Sequence, residues 1–429
     1  MARSAGARRG LPLKKGPAIR RAFRALLLRA DAATVASLAR REDRVRAVGG
    51  AVRDAFLGRR GGDLDLTAPP ETAERVAAKL AARAGSRVVP IGAPPKRVLK
   101  VPFRSHEIDV WEETGDPAQD LLRRDFSVNA LSFSLPEGAF AGAPGALADL
   151  AARRLAPPRP GVFLEDPLRV LRAARFLAEL PGFHVSRAAV PELHKAAKML
   201  RMVAAERRLV EWDKLLSAPP PARIRGLHFL ERIGGLNPLL STAPRQRRRG
   251  LLLVSRLSST DPRVARVLLL LPLGKRRAEE ILREWRVSRQ ELRLASRLYA
   301  LPIRSSRGPR RHPTRRDVAA LLRFSSPFEA ESTAFLRAAG DRHARDLADV
   351  AERILRRPTA LRRILKPTRP LPFAEISSLL GLSEGPDLGR ALDAFDLALA
   401  SSEIRGPRAA RAWLRRLGTP LNARQRLLK

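Results

Sequence analysis

Hydrophobic spacing divides the chain into two textures. Between Ala18 and Arg40, Ile19, Phe23, Leu26, Leu27, Val35 and Leu38 recur at roughly helical spacing, which predicts helix. Arg44-Val-Arg-Ala-Val48 then reads as a short strand ending at Gly49-Gly50, and Val52–Leu57 returns to the helical period. After a Gly61-Gly62 turn, Asp63-Leu-Asp-Leu-Thr67 alternates polar and apolar, as a half-buried strand does. Helix is expected over Glu71–Arg83, extended chain over Arg87–Ile91 and Arg97–Val101, and a second alternating strand over Glu107-Ile-Asp-Val-Trp111.

Beyond about Glu165 the strand signals nearly vanish and amphipathic helices dominate. Pro- and Arg-rich joints at 218–221, 242–249, 305–316 and 356–372 suggest breaks near 220, 310 and 365. The pattern predicts an α+β chain, a small α/β head followed by an elongated all-helical neck, body and tail. Its segments are a basic arm and leading helix (1–42), the head (43–160), the neck (161–220), the body (221–365) and the tail (366–429).

Charge narrows the partners. The 429 residues carry 83 Lys and Arg against 43 Asp and Glu, a net +40, which favours an anionic polymer such as nucleic acid. Only 11 of the 83 are lysine, and this Arg-plus-Ala bias also suits a high-GC coding sequence. Aromatic residues make up 5%, too few for base stacking to be the main mode of binding. There is no cysteine, which excludes disulfides, thiolate catalysis and Cys-ligated zinc. Apolar runs fall far short of the ~20 residues a bilayer helix needs, so no membrane association is expected. Residues 1–17 contain no acidic side chain and read as a flexible arm; their composition resembles a transit peptide without an apolar core.

The candidate chemistry lies on the alternating strands. Asp63 and Asp65, at i and i+2, would share one face, and paired carboxylates suit hard cations such as Mg²⁺. Such a pair also occurs in sugar transferases and surface turns. A third carboxylate on the other strand, Asp109 or Glu107, would complete a site for two ions ~3.5–4 Å apart. Upstream, Gly49-Gly50 permits close approach of a phosphate chain to a helix N-terminus. Arg53 can clamp that phosphate, and Asp54 can orient it or support the helix start.

Taken together, Val48-Gly-Gly-Ala-Val-Arg-Asp54, Leu57-Gly58 and Asp63-Leu-Asp-Leu-Thr67 resemble the first signature of the polymerase-β-type nucleotidyltransferases. The resemblance is to their class II branch, which holds bacterial tRNA CCA-adding enzymes and poly(A) polymerases. Arg123-Arg-Asp-Phe-Ser-Val-Asn-Ala-Leu131 is similar to the family's ribose- and nucleotide-recognition motif, and Glu165-Asp-Pro-Leu-Arg169 through Phe176 to its nucleotide-selecting motif. Ala205-Glu-Arg207 and Glu211–Leu216 resemble its supporting motif. The resemblance implies a polymerase-β-like head, two Mg²⁺ ions held by Asp63 and Asp65, and ATP and CTP as substrates. Arg123 and Arg124 would hold triphosphate or ribose. Asp125 and Asn129 would satisfy sugar hydroxyls or each other, although Asp125 also suits a plain N-cap.

Base choice has a physical account beside the resemblance. Glu165 and Asp166 precede Pro167, a favourable helix opening, and Asp166, Arg169, Arg172 and Arg175 follow at three-residue steps. Asp166 can accept from the exocyclic amine of cytosine or adenine while Arg169 donates to the neighbouring ring atom. Guanine and uracil present the opposite pattern, leaving buried partners unpaired at about 1–3 kcal/mol each. Arg172 and Arg175 would touch phosphate or support Arg169; a row of surface ion pairs is the plainer alternative.

The expected function is template-independent addition of CMP and AMP to the tRNA 3′ end, gripping the acceptor arm, in a bacterial cytoplasm. A poly(A) polymerase or a partial CC- or A-adding enzyme shares this chemistry. A non-catalytic RNA-binding protein on an inactivated transferase is a reading from a different class. Ile91-Gly-Ala-Pro-Pro-Lys-Arg97 departs from the motif typical of bacterial poly(A) polymerases. The 6 histidines include no His-Asp pair, so an appended metal phosphohydrolase domain is not expected.

Overall fold

The computed structural model describes residues 15–59, 62–93, 97–104, 106–113, 115–303 and 312–418. Most of the expected basic arm, Gly61 of the expected turn, the Pro94–Lys96 part of the departing segment and much of the 305–316 joint lie outside the described residues. The chain divides into two compact units. One runs to Glu211 and takes in Arg225–Leu239; the other comprises Trp212–Ile224 and the chain from Leu240 onward.

The first unit opens with two helices, α1 (Lys15–Leu27) and α2 (Ala30–Leu38), rather than the single expected run. The break follows from Asp31. Its buried carboxylate accepts the Arg29 guanidinium at 3.0 and 2.6 Å and the Ala32 N–H at 2.7 Å, which holds Arg29 extended ahead of the second helix.

Next come β1 (Val45–Val48), α3 (Gly50–Leu57), β2 (Leu64–Ala68), α4 (Pro70–Ala84), β3 (Val89–Ile91), β4 (Val98–Phe103) and β5 (His106–Glu112). They are followed by α5 (Pro117–Leu122), β6 (Leu131–Leu135), β7 (Phe140–Gly142), α6 (Ala146–Ala151) and β8 (Arg154–Leu155). Seven strands form one mixed sheet in the order β3-β4-β5-β2-β1-β6-β7, with β2 parallel to β5 and the other pairs antiparallel. β6 and β7 were not among the expected strands.

Alternation gives the sheet two unlike faces. Leu64, Leu66, Ile108, Val110, Leu99 and Val101 are buried on one face, together with the apolar side of α4. Phe133 of β6 extends that face and meets Phe23 of α1, Phe56 of α3 and Phe140 of β7 at ring centroid distances of 5.2, 5.9 and 5.5 Å. The opposite face carries Arg46, Asp65, Thr67, Asp109 and Trp111, which the register sets side by side.

The same unit continues with α7 (Val162–Glu165), α8 (Arg169–Glu179), β9 (His184–Val185) and α9 (Val190–Lys198), and the division between the units runs through α10 (Ala205–Leu216), α11 (Pro220–Arg232) and α12 (Leu236–Leu240). The helix expected to open at Pro167 begins at Arg169 instead. A residue before proline is held out of the helical region, and Asp166 is accordingly extended at φ −140°, ψ 95°. Its carboxylate accepts the Leu168 N–H at 3.2 Å and turns the chain.

The regular structure among the described residues of the second unit is all helical. Proline at the first helical position opens Pro244–Ser255, Pro262–Leu270, Pro358–Leu365 and Pro386–Ala400. This corrects the expected joints: 242–249 is largely helix, and 356–372 holds the helix Pro358–Leu365 between irregular stretches. Gly250 lets two helices touch, since a Cβ there would lie 2.3 Å from the Leu269 carbonyl oxygen. Leu371, Ile376, Leu380, Phe395 and Leu414 form the core of the last three helices, Phe373–Leu380, Pro386–Ala400 and Gly406–Gly418.

Arg223 is fully buried and donates to the Leu216, Ser259 and Leu257 carbonyls at 2.9, 2.9 and 2.7 Å. These acceptors belong to the main chain and stay behind when the side chain is removed. Arg223→Leu should therefore cost about 3 kcal/mol or more, read as a lower denaturant midpoint of the full-length protein; an unchanged midpoint would contradict this role.

Candidate active site

The parallel pairing of β2 with β5 sets Asp65 directly opposite Asp109, and β4 sets Lys100 opposite Asp109 on the other side. Asp63 is exposed in the connection just before β2 rather than inside the strand. Burial pushes the Asp65 carboxyl above the ordinary carboxylate range. The charges of Asp109 and Asp63 push the same way, while the Arg124 guanidinium and a hydrogen bond from Trp111 pull against them. Lys100 Nζ donates to both Asp109 oxygens at 2.8 and 2.9 Å and to Glu107 at 3.0 Å. Between the two candidates for third carboxylate, Asp109 is the one in register with Asp65; Glu107 stands nearer the exposed end of β5.

Among the described residues no three acidic or histidine side chains are already set as a metal cage. The donors nonetheless suit a hard cation. They are all oxygen, they crowd like charge onto one strand pair, and they leave most positions to solvent or substrate phosphates, as Mg²⁺ requires.

Gly49, at φ +75°, ends β1 beside this pair. A Cβ at Gly49 would lie 2.8 Å from an Arg124 guanidinium nitrogen and 3.7 Å from an Asp65 carboxylate oxygen, so the glycine leaves room for both groups. Arg124 is tethered by Asp120 at 3.2 Å, yet its Nε is buried with no hydrogen-bond partner among the described residues. An orphan cationic donor beside the first turn of α3 is suited to an anionic oxygen. Gly49→Ala must displace Arg124 and adopt a strained φ. It should raise the KM for nucleotide about tenfold or more, on the order of 1.4 kcal/mol; an unchanged KM would count against this seat.

Several sequence-derived candidates turn inward. Arg53, 6% exposed, donates to Asn129 Oδ1 at 2.7 Å and to Asp54 at 2.9 and 3.1 Å. Asn129 donates to Asp125 at 2.9 Å, and Arg172 donates to the other Asp125 oxygen at 2.6 Å. Arg172 and Arg175 share the buried Glu211 at 3.3 and 2.8 Å, and the Arg175 guanidinium lies 4.4 Å from the Phe176 ring centroid. Asp54 is inside α3 rather than at its start, and Asp125 caps no helix; its carboxylate accepts the Phe126 N–H at 2.8 Å. These residues form one continuous ion-pair and hydrogen-bond network at the base of α8.

Arg123 is exposed at the end of α5, and its carbonyl accepts from Arg169 at 2.6 Å. Arg169 also donates to the Val162 carbonyl at 2.8 Å; burial pushes its guanidinium down, while Asp125, Asp166 and Glu165 push it up. Asp166 pairs with Arg207 at 2.8 Å rather than with Arg169. Asp166 and Arg169 thus remain neighbours at the α7–α8 junction, each oriented by a group other than its neighbour.

Three contacts escaped the sequence reading. Lys100 on Asp109 and Trp111 on Asp65 arise from pairing register. The signal available for Trp111 was its i+2 spacing from Asp109, which puts both on one face. The approach of Arg124 to Gly49 comes from separate motifs and carries no local signal.

The Poly A polymerase head domain model matches residues 45–156. The CC-adding tRNA nucleotidyltransferase of Thermus thermophilus is 31% identical over 410 residues, 86% of this chain and 92% of that protein. A CC-adding tRNA nucleotidyltransferase of Geobacter sulfurreducens is 35% identical over 40% of each chain. Among solved structures, the Bacillus stearothermophilus CCA-adding enzyme in complex with CTP superposes with a TM-score of 0.68 at 23% identity, covering 93% of this chain and 97% of that one. With a relative of this identity matched along most of both chains, the four ordered motifs have a common origin, and the chain belongs to the class II polymerase-β-type nucleotidyltransferases, the family of the tRNA CC- and CCA-adding enzymes and the poly(A) polymerases.

Proposed function

We propose that the chain adds CMP and AMP, from CTP and ATP, to the 3′ end of tRNA without a template. The observation that carries this reading is the pairing of Asp65 with Asp109 beside an orphan Arg124 donor and the Gly49 turn. The primer 3′-oxygen forms a bond to the α-phosphorus while the bond to the β-phosphate breaks, releasing pyrophosphate. Arg124 and the first amides of α3 hold the triphosphate, and Asp109 orients the 3′-hydroxyl and helps remove its proton. Two Mg²⁺ ions, which Asp63 and Asp65 would hold, supply positive charge at the reacting phosphates. Asp166 and Arg169 read the base edge, and Arg207 keeps Asp166 in the accepting orientation. Positioning and charge stabilisation provide most of the rate.

The working division is a transferring head (43–160), a selecting neck (161–220), and a body (221–365) and tail (366–429) that grip the acceptor arm through phosphates. No described helix is long and apolar enough to cross a membrane. The reaction is assigned to the bacterial cytoplasm, where tRNA and both nucleotides are found.

One observation favours a second reading, in which addition stops at CC: a relative matched along most of this chain, that of Thermus thermophilus, is named a CC-adding enzyme. The experiment offers ATP alone to a tRNA already ending in CC. Incorporation of one adenosine supports complete CCA addition. Its absence, with cytidine still added to a tRNA lacking all three residues, replaces that reading by CC addition. A long adenosine tract would identify a poly(A) polymerase.

A further inference from the structure

The carboxylates occupy one part of a wider face, and what flanks them differs on the two sides. Across the strands the register reads Val89, Lys100, Asp109, Asp65, Val48 in one row and Ile91, Val98, Trp111, Thr67, Arg46 in the next. On the β1 side stand Gly49 and Arg124, the seat suited to phosphate. On the β5–β4–β3 side the same face ends in an apolar shelf: Trp111 is 39% exposed, Ile91 47% and Val89 38%. Trp111 also reaches Asp65 through its indole N–H, so the edge of the ring is tied to the reacting centre. Trp212 and Trp285, in contrast, are 3% and 5% exposed and pack against each other.

An exposed tryptophan face beside paired carboxylates needs an occupant. With the triphosphate on the Arg124 side, the group arriving from the opposite side is the accepting strand, whose 3′-hydroxyl must come to Asp109. We propose that Trp111, with Ile91 at its rim, is the platform on which the 3′-terminal nucleobase of the accepting RNA rests, so that its ribose hydroxyl is presented to Asp109. Every base has a π-face, so such a platform tolerates a different terminal base after each addition. Lys100, tethered between Asp109 and Glu107, puts a positive charge along the path of the incoming backbone.

The inference rests on the proposed nucleotide addition to RNA. The experiment measures steady-state kinetics with a tRNA lacking its CCA end and with the same tRNA carrying an abasic 3′-terminal residue. Trp111→Leu should raise the KM for tRNA about tenfold and leave the KM for CTP unchanged. Trp111→Phe loses the N–H but keeps an aromatic face, and should hold the tRNA KM near the wild-type value while kcat falls. Ile91→Ser, two strands from Asp109, should shift the tRNA KM in the same direction as Trp111→Leu and less strongly. The abasic end should raise the wild-type KM about tenfold and leave the already raised KM of Trp111→Leu where it is.

A shift confined to the KM for CTP would overturn the inference by assigning the shelf to the incoming base. A loss of kcat alone in Trp111→Leu would overturn it by reducing Trp111 to a support for Asp65. A wild-type protein that extends no tRNA would defeat the functional reading itself, an outcome distinct from either.

Discussion

Asp65→Asn should lower kcat for nucleotide incorporation by ~10³-fold or more, while tRNA affinity stays within about twofold. Asparagine keeps the shape of the side chain and removes the charge, and a loss of about 4 kcal/mol at the transition state corresponds to that factor. The position explains the size of the effect. Asp65 stands in register with Asp109, next to the Asp63 charge, against the Arg124 guanidinium and under the Trp111 N–H, so one substitution disturbs the carboxylate set together with the arginine beside it. RNA grip is assigned to a large basic surface and should not depend on this carboxylate. Single-turnover incorporation and a filter-binding titration separate the two quantities. Retained kcat within tenfold of wild type would remove Asp65 from the mechanism.

Asp125→Ala should act on stability first. Asp125 is buried, and although burial alone would push its carboxyl up, the Arg172 guanidinium and the bonds from Asn129 and Phe126 hold it down to about 2. Its folded value lies below its unfolded one. The stabilisation is therefore complete above the ordinary carboxylate value near 4 and disappears as pH falls from about 4 to about 2. The shift corresponds to roughly 2 kcal/mol at neutral pH. Removing the side chain also leaves Arg172 with Glu211 as its remaining carboxylate partner and takes the acceptor from the Asn129 amide N–H, a cost of about 3 kcal/mol. For a unit of this size the thermal midpoint should fall by roughly 10 °C. Asp125→Ala should also flatten the acid limb of the stability curve. Thermal unfolding of both proteins from pH 2 to 7 tests this. An unaltered midpoint combined with lost nucleotide binding would make Asp125 a ligand contact instead.

These two residues mark how far the sequence could be read. Asp65 was legible because its alternation and its offset from Gly49-Gly50 are local. Asp109 is legible as one of two, and the parallel register of β2 and β5 sets it, rather than Glu107, opposite Asp65. Asp125, Asn129, Arg53, Arg172 and Arg175 stand out as motif residues, and the pairing of Asn129 with Asp125 is one of the expected alternatives, but the links of Arg53 to Asn129 and of Arg172 to Asp125 are not legible in the sequence. A sequence motif reports that a residue type recurs at a position; it does not report whether the side chain meets a ligand or an oppositely charged neighbour. The Asp166–Arg207 pair shows the same limit, since the two come from different motifs. Prolines misled in one direction. Pro244 and Pro358 lie in stretches whose composition reads as joints, although a missing N–H costs nothing at the first helical position and each opens a helix there.

The +40 charge is also divided by the structure. Some arginines are internal structural groups, such as Arg223 on main-chain carbonyls and Arg266 between Glu291 and Asp213. Others, such as Arg245, Arg248 and Arg249 on the first turns of Pro244–Ser255, are exposed and available to an RNA backbone. Salt dependence of binding counts only the second kind, with a slope of about −0.7 to −0.9 per phosphate contacted.

The proposed reaction has the carboxylate pair of the head extend a tRNA 3′ end with nucleotides chosen by protein side chains. Its most direct measurement offers a labelled tRNA lacking its CCA end to the full-length protein in Mg²⁺, with CTP, UTP or GTP supplied singly, and resolves the products at single-nucleotide length. Extension by cytidine with CTP and none with UTP or GTP is the expected result; no extension with CTP, or equal extension with all three, would rule out this function.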